Sequence, residues 1–173
     1  MFVIPTTDPA QKAQFEQWMH DYETDILRIC YLYLGNRVLA EDAMQDTFFK
    51  AWRNMKQFKF RSSVKTWLTR IAVNTCRDYI RSAWWRREQP ASDSEIEVRQ
   101  VTTVSSESQE LFFEVMRLPS KYREVIVLRY YQNITTKETA AILGISRMTL
   151  ARRLKKAYLL LRQQLDGGYE HDK

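Results

Sequence analysis

Residues 88–110, EQPASDSEIEVRQVTTVSSESQE, constrain the fold first: they hold six acidic residues, one basic residue and no aromatic one. A stretch of this composition buries too little apolar surface to offset the entropy of ordering it. It reads as a flexible linker, and it divides the chain into residues 1–87 and 111–173. On both sides the apolar residues recur at spacings of three and four, the period of a helix with one buried face. Only four glycines and four prolines occur among 173 residues, and 45% of the chain is hydrophobic. The expected class is all-α, two small helical domains joined by the linker.

The same scarcity excludes much chemistry. Gly35, Gly144, Gly167 and Gly168 are spaced so that they form neither a GxGxxG nor a GxxxxGK[ST] phosphate cradle. His20 and His171 lie near opposite ends, and Cys30 and Cys76 are far apart, so zinc-finger spacing and a local Cys–His pair are both missing. No cofactor, metal or catalytic residue is expected, and the chain does not read as an enzyme. Both cysteines fall on apolar helical faces, which predicts buried, inert thiols of a reducing compartment. No apolar run approaches the roughly 18 residues of a membrane span, and MFVIPTTDPA lacks the basic start and apolar core of a signal peptide. A cytoplasmic location without direct membrane insertion follows as an expectation.

Net charge is +6, but its distribution carries the information. Residues 1–46 hold 3 basic and 8 acidic side chains (−5); residues 47–87 hold 11 basic and 1 acidic (+10). The linker contributes −5, and residues 111–173, with 12 basic and 6 acidic, return +6. Two basic blocks separated by an acidic one suggest contact with polyanions at two places.

In the first domain, Asp8 predicts an N-cap with Pro9 at the first helical position, and Gly35, helped by Asn36, a left-handed stop. The stripe between them comprises Phe15, Trp18, Met19, Tyr22, Ile26, Ile29, Cys30 and Tyr33. A second helix runs to about Met55, with Ala40, Ala43, Met44, Thr47, Phe48, Ala51, Trp52 and Met55 inward. Its other face carries Glu41, Asp42, Gln45, Asp46 and Phe49, an acidic ridge ending in an exposed aromatic. Such a ridge is either a docking surface or a solvated face. In QFKFRSSVKTW, Phe58 and Phe60 alternate with Lys56, Lys59, Arg61 and Lys65, a pattern suited to single-stranded nucleic acid, where bases stack on rings and cations follow phosphates. One of the two rings is expected in the core. Ser62 or Ser63 caps a third helix with Leu68, Ile71, Ala72, Thr75, Cys76, Tyr79 and Ile80 inward, while Thr66, Arg70, Asn74, Arg77 and Arg81 form a polar, cationic stripe.

In the second domain, Pro119 precedes a short helix, KYREVIVLRYY, with Tyr122, Val125, Ile126 and Tyr130 partly inward. Thr135 and Glu138 predict a capping box, with Ile134 at the staple position. Ala140, Gly144 and Leu150 supply the small crossing residue, the turn glycine and the apolar anchor of a helix-turn-helix. Ser146 caps the last helix, which buries Leu150, Leu154, Ala157, Tyr158, Leu161 and Leu165. The same helix exposes Arg147, Arg152, Arg153, Lys155, Lys156 and Arg162, the charge and placement of a major-groove recognition helix.

Taken together, YLGNRVLAEDAMQDTFFKAW (33–52), FRSSVKTWLTRIAVNTCRDYIR (60–81), LPSKYREVIVLRYY (118–131) and TKETAAILGISRMTLARRLKKAYLLLRQQL (136–165) resemble the extracytoplasmic-function (ECF) class of bacterial RNA polymerase sigma factors, within the sigma-70 family. The resemblance implies region 2 in residues 1–87 and region 4 in residues 111–173. It implies that Ala40, Glu41, Asp42, Gln45, Asp46 and Phe49 dock on the β′ clamp helices of core RNA polymerase, with the β flap as a further contact. Phe60, Arg61, Ser62, Ser63 and Lys65 match the loop that captures a flipped base of the −10 element, and Trp67, Arg70, Asn74 and Arg77 match the helix beside it. Ser146, Arg147, Thr149, Arg152, Arg153, Lys155 and Lys156 match the −35 reader. Promoter DNA and an anti-sigma factor are the other implied partners. Ala151 and Arg152 stand where the family often has Lys then Ser, so no −35 preference carries over; Asp46 stands where Glu is commoner, a change that keeps the charge. The alternative from the residues alone is a helix-turn-helix regulator that binds duplex DNA without polymerase; a nuclease or recombinase lacks a compact acidic cluster away from the ridge.

Overall fold

The computed structural model describes residues 8–86 and 106–168, with side chains described for 8–82 and 111–165. Among the described residues every regular element is helical, and the helices form two compact units. The all-α, two-cluster expectation is therefore met. Residues 87–105, which include most of the stretch read as a linker, lie outside the described residues, as do the side chains of Trp84, Trp85 and Arg86.

The first unit packs α1 (Pro9–Leu34), α2 (Arg37–Asn54) and α3 (Val64–Arg86) on one another, with a 3-10 turn, Met55–Gln57, after α2. Asp8 accepts a hydrogen bond from the Ala10 N–H at 3.0 Å, and Gly35, at φ 67°, returns its N–H to the Tyr31 carbonyl at 2.8 Å. Asn36 differs from expectation. Its Oδ1 accepts from the Leu39 N–H at 2.9 Å, so it starts α2 instead of helping to stop α1. Phe15 is fully buried and meets Trp18, Phe48 and Trp52 edge-on, at 6.3, 6.4 and 5.2 Å between ring centroids. Thr47 is buried in α2 without loss because its hydroxyl donates to the Ala43 carbonyl at 2.7 Å. Cys30 and Cys76 are both buried, and the neighbouring Cys76 thiol together with burial pushes the Cys30 thiol well above its ordinary pKa. A thiol held in that form is a poor nucleophile. Ile80, expected inward, is 43% exposed: the apolar period of α3 runs one turn past Cys76, beyond the cover of the other described elements.

The second unit contains α4 (Ser106–Arg117), α5 (Ser120–Ile126), α6 (Thr136–Leu143) and α7 (Arg147–Gly168). Helix α4 was not anticipated; it begins inside the stretch read as linker and buries Phe112 and Val115, with Leu118 just beyond its end. Val125, Ile126, Val127 and Leu128 are all buried, and four successive helical residues point in all directions, so this segment is covered all round. It continues as a π turn, Val127–Tyr131, closed by Gln132 N–H to the Val127 carbonyl at 3.1 Å. The widened turn shifts the helical register by one residue. Tyr130, expected partly inward, is consequently 50% exposed, while Tyr131 is half-buried. Tyr158, expected in the core, is also exposed, with its hydroxyl hydrogen-bonded to that of Tyr130.

Candidate nucleic-acid interface

Helix α3 starts where Ser63 accepts a hydrogen bond from the Thr66 N–H at 3.1 Å, and the two hydroxyls lie 2.9 Å apart. Ser63, not Ser62, is thus the cap. Before it, the chain is held by rings. Phe58 stacks on Trp67 at 4.5 Å and 17°, and Trp18 of α1 meets Phe58, Phe60 and Trp67 edge-on at 6.1, 6.3 and 6.2 Å. Phe58 is half-buried, whereas Phe60 is 65% exposed at φ 52°, a left-handed conformation that phenylalanine seldom adopts. One ring is stacked and half-buried and the other presented, so neither lies in the fully buried core expected for one of them. The helical period assigns Trp18 only to the core; it also floors the loop, and no local sequence signal links it to Phe58 or Phe60.

The cations around this loop divide. Lys56, Lys59 and Arg61 are exposed and Ser62 is half-buried, but Lys65 forms an ion pair with Asp25 of α1 at 2.8 Å. On α3, Arg70 and Asn74 are exposed and Arg77 is half-buried. Thr66 leaves the expected stripe: it is buried, and its hydroxyl faces Ser63. Arg81 is exposed, 4.0 Å from Asp78.

The ridge on α2 is partly tied down. Ala40 is fully buried, as its inward position in the helical period predicts, so its side chain cannot meet a partner, which corrects the docking role that the resemblance implied for it. Glu41 pairs with Arg37 at 2.9 Å, and Asp46 accepts from the Tyr79 hydroxyl at 2.8 Å. Burial, then the Asp46 carboxylate, pushes the Tyr79 phenol well above the usual tyrosine range. Asp42 and Gln45 are exposed, and Phe49 is 41% exposed with the Arg53 guanidinium 5.7 Å from its ring centre.

In the second unit, Thr135 and Glu138 form the capping box at the start of α6, and Ile134 is buried behind it. Gly144 turns the chain at φ 68°, and the Ile145 N–H closes the turn on the Ala140 carbonyl at 3.0 Å. A Cβ at Gly144 would meet nothing within 4 Å, so the glycine is required by the backbone angle and not by space. Ser146 then caps α7, accepting from the Thr149 N–H at 3.0 Å with the hydroxyls 2.9 Å apart. Leu150 and Ala157 are fully buried, while Arg147, Arg152, Lys155, Lys156 and Arg162 are exposed. Arg153 was expected to be exposed with them; it is turned inward and bonded to Glu124 of α5 at 2.7 Å. Met148, given no role by sequence reasoning, is 74% exposed in the first turn of α7.

Among the described residues no cluster of His, Cys, Asp and Glu has a metal-binding arrangement, and no helix is long and apolar enough to cross a membrane. The described residues present exposed cations and rings, surfaces suited to polymers.

Comparison with known proteins agrees. Residues 18–86 match the Sigma-70 region 2 family and residues 115–163 match Sigma-70, region 4. The chain is 31% identical over 161 residues to the ECF RNA polymerase sigma factor SigW of Bacillus subtilis, covering 83% of this chain and 84% of that protein. It is 30% identical over 158 residues to the ECF RNA polymerase sigma factor SigM of Mycobacterium tuberculosis, covering 90% and 78%. Among solved structures, CnrH in complex with the cytosolic domain of CnrY aligns with a TM-score of 0.68 at 25% identity, over 90% of each chain. Both regions are present in order, and the relatives span most of the chain: this protein belongs to the ECF class of the sigma-70 family, and it directs transcription initiation through core RNA polymerase without being an enzyme itself.

Proposed function

We propose that the two units read two promoter elements. The loop at Phe60, Arg61, Ser62 and Ser63, with Trp67, Arg70, Asn74 and Arg77, holds the −10 element as its strands separate. Arg147, Thr149, Arg152, Lys155 and Lys156 of α7 meet the −35 duplex, Ser146 setting the start of that helix. The observation that carries this division is the contrast in what each surface exposes. The first unit offers a ring, Phe60, beside cations, which suits unpaired bases; the second offers cations on a helix behind a tight turn, which suits a groove. Glu41, Asp42, Gln45, Asp46 and Phe49 form the face that docks on the β′ clamp helices, and the second unit meets the β flap. CnrH was solved in complex with the cytosolic domain of CnrY, which supports a protein partner for this chain as well; we read that partner as an anti-sigma factor.

Reconstitution with core polymerase and a promoter library tests the reading. Promoter-specific transcripts with open complexes are the expected result. Tight duplex binding by the chain alone, with no association with core polymerase, would instead support a regulator that uses only its helix-turn-helix.

A further inference from the structure

Charge alone groups Arg153 with the cations of α7, but its geometry separates it from them. Arg153 lies three residues after Leu150 and four before Ala157, both fully buried, which sets it on the inner side of the helix. Its Nη1 donates to Glu124 Oε1 at 2.7 Å, with the two side chains 26% and 11% exposed. Helix α5, which carries Glu124, is itself anchored: the adjacent Arg123 donates to the Met116 carbonyl at the end of α4 at 3.0 Å. An ion pair withdrawn from water to this degree is costly to break, because the charge left behind stays desolvated. It is also directional, so it favours one rotation of α7 about its axis.

Resting on the reading of α7 as the duplex-contacting helix, we propose that Arg153 is a positioning residue. Its pair with Glu124 fixes the rotation of α7 on α5, and thereby directs Arg152 and Lys155 toward the groove. It contacts no phosphate. Base discrimination at the −35 element then depends on two residues that touch no DNA.

The test uses holoenzyme formed with core polymerase and the duplex that this holoenzyme selects from a randomised library. Arg153→Glu should weaken binding to the selected duplex by about tenfold or more, and Glu124→Arg combined with Arg153→Glu should restore affinity to within about threefold. Arg153→Met, which keeps the length of the side chain, should lose discrimination between selected and scrambled duplexes while the log–log salt slope stays unchanged. Thermal unfolding of each free variant identifies those that fold. If Arg153→Met lowers the salt slope by about 0.9, the loss of one phosphate contact, or if the double variant binds no better than the single one, the positioning role is overturned while the reading of α7 stands. If the intact holoenzyme selects no sequence, that reading fails, and the proposal with it.

Discussion

Helices α3 and α7 begin with the same device and end in different surfaces. In each, a serine accepts from the backbone N–H three residues on, at 3.1 Å for Ser63 and 3.0 Å for Ser146, and faces a threonine hydroxyl at 2.9 Å. What precedes the cap differs. At α7 a single glycine angle makes the turn; at α3 the loop is seated on Trp67 of the helix's own first turn and on Trp18, brought from α1. A groove reader can be built locally, because a helix already has the shape of the groove. A surface for unpaired bases needs a presented ring, and the ring needs a floor supplied by tertiary structure.

The strongest way to break this comparison is to remove the floor. Trp18→Ala should cost the first unit roughly 3–5 kcal/mol, the range for deleting a large buried aromatic, measured by denaturant unfolding. A loss below about 1 kcal/mol would show the loop to be held locally after all. Next in size, Gly144→Ala should destabilise the second unit by about 1–2 kcal/mol, from the left-handed angle alone, since the added methyl meets nothing. Ser63→Ala and Ser146→Ala should each cost about 1 kcal/mol. Equal losses would confirm that the caps are the shared part; an excess at Ser63 would place the tertiary contribution within the cap itself.

The smallest effect is one of pH. Tyr79 keeps its proton more firmly in the folded state than in the unfolded one, where tyrosine titrates near pH 10. Its contribution is therefore complete below about pH 10 and declines as pH rises through the folded value. Tyr79→Phe should flatten the alkaline fall in stability of the first unit; an unchanged alkaline profile would remove the Tyr79–Asp46 bond from the account.

What sequence made legible follows the same division. The caps at Asp8, Thr135 and Ser146, the stops at Gly35 and Gly144 and the buried stripes are local signals, and they stood where the period placed them. The misses are tertiary. Tyr130 turned outward because a π turn shifts the register, and no residue pattern announces such a turn; Tyr158, on another helix, lies outward with its hydroxyl bonded to that of Tyr130. Arg153 has the sequence of a DNA contact and the environment of an ion pair, a distinction set by Glu124 on another helix. Ala40 sits among ridge residues yet faces α2's buried side, as its other assignment, to the inward face, already implied. Helix α4 went unread because its first residues have the polar composition of the stretch before them.

The division of labour between the units is tested most directly by following closed-complex formation and strand opening separately, with duplex binding and permanganate reactivity at the −10 element, for Arg152→Ala and Arg61→Ala holoenzymes. The account predicts that Arg152→Ala weakens the closed complex and leaves opening normal once bound, whereas Arg61→Ala binds duplex normally and opens poorly. Both variants failing at the same step would contradict it.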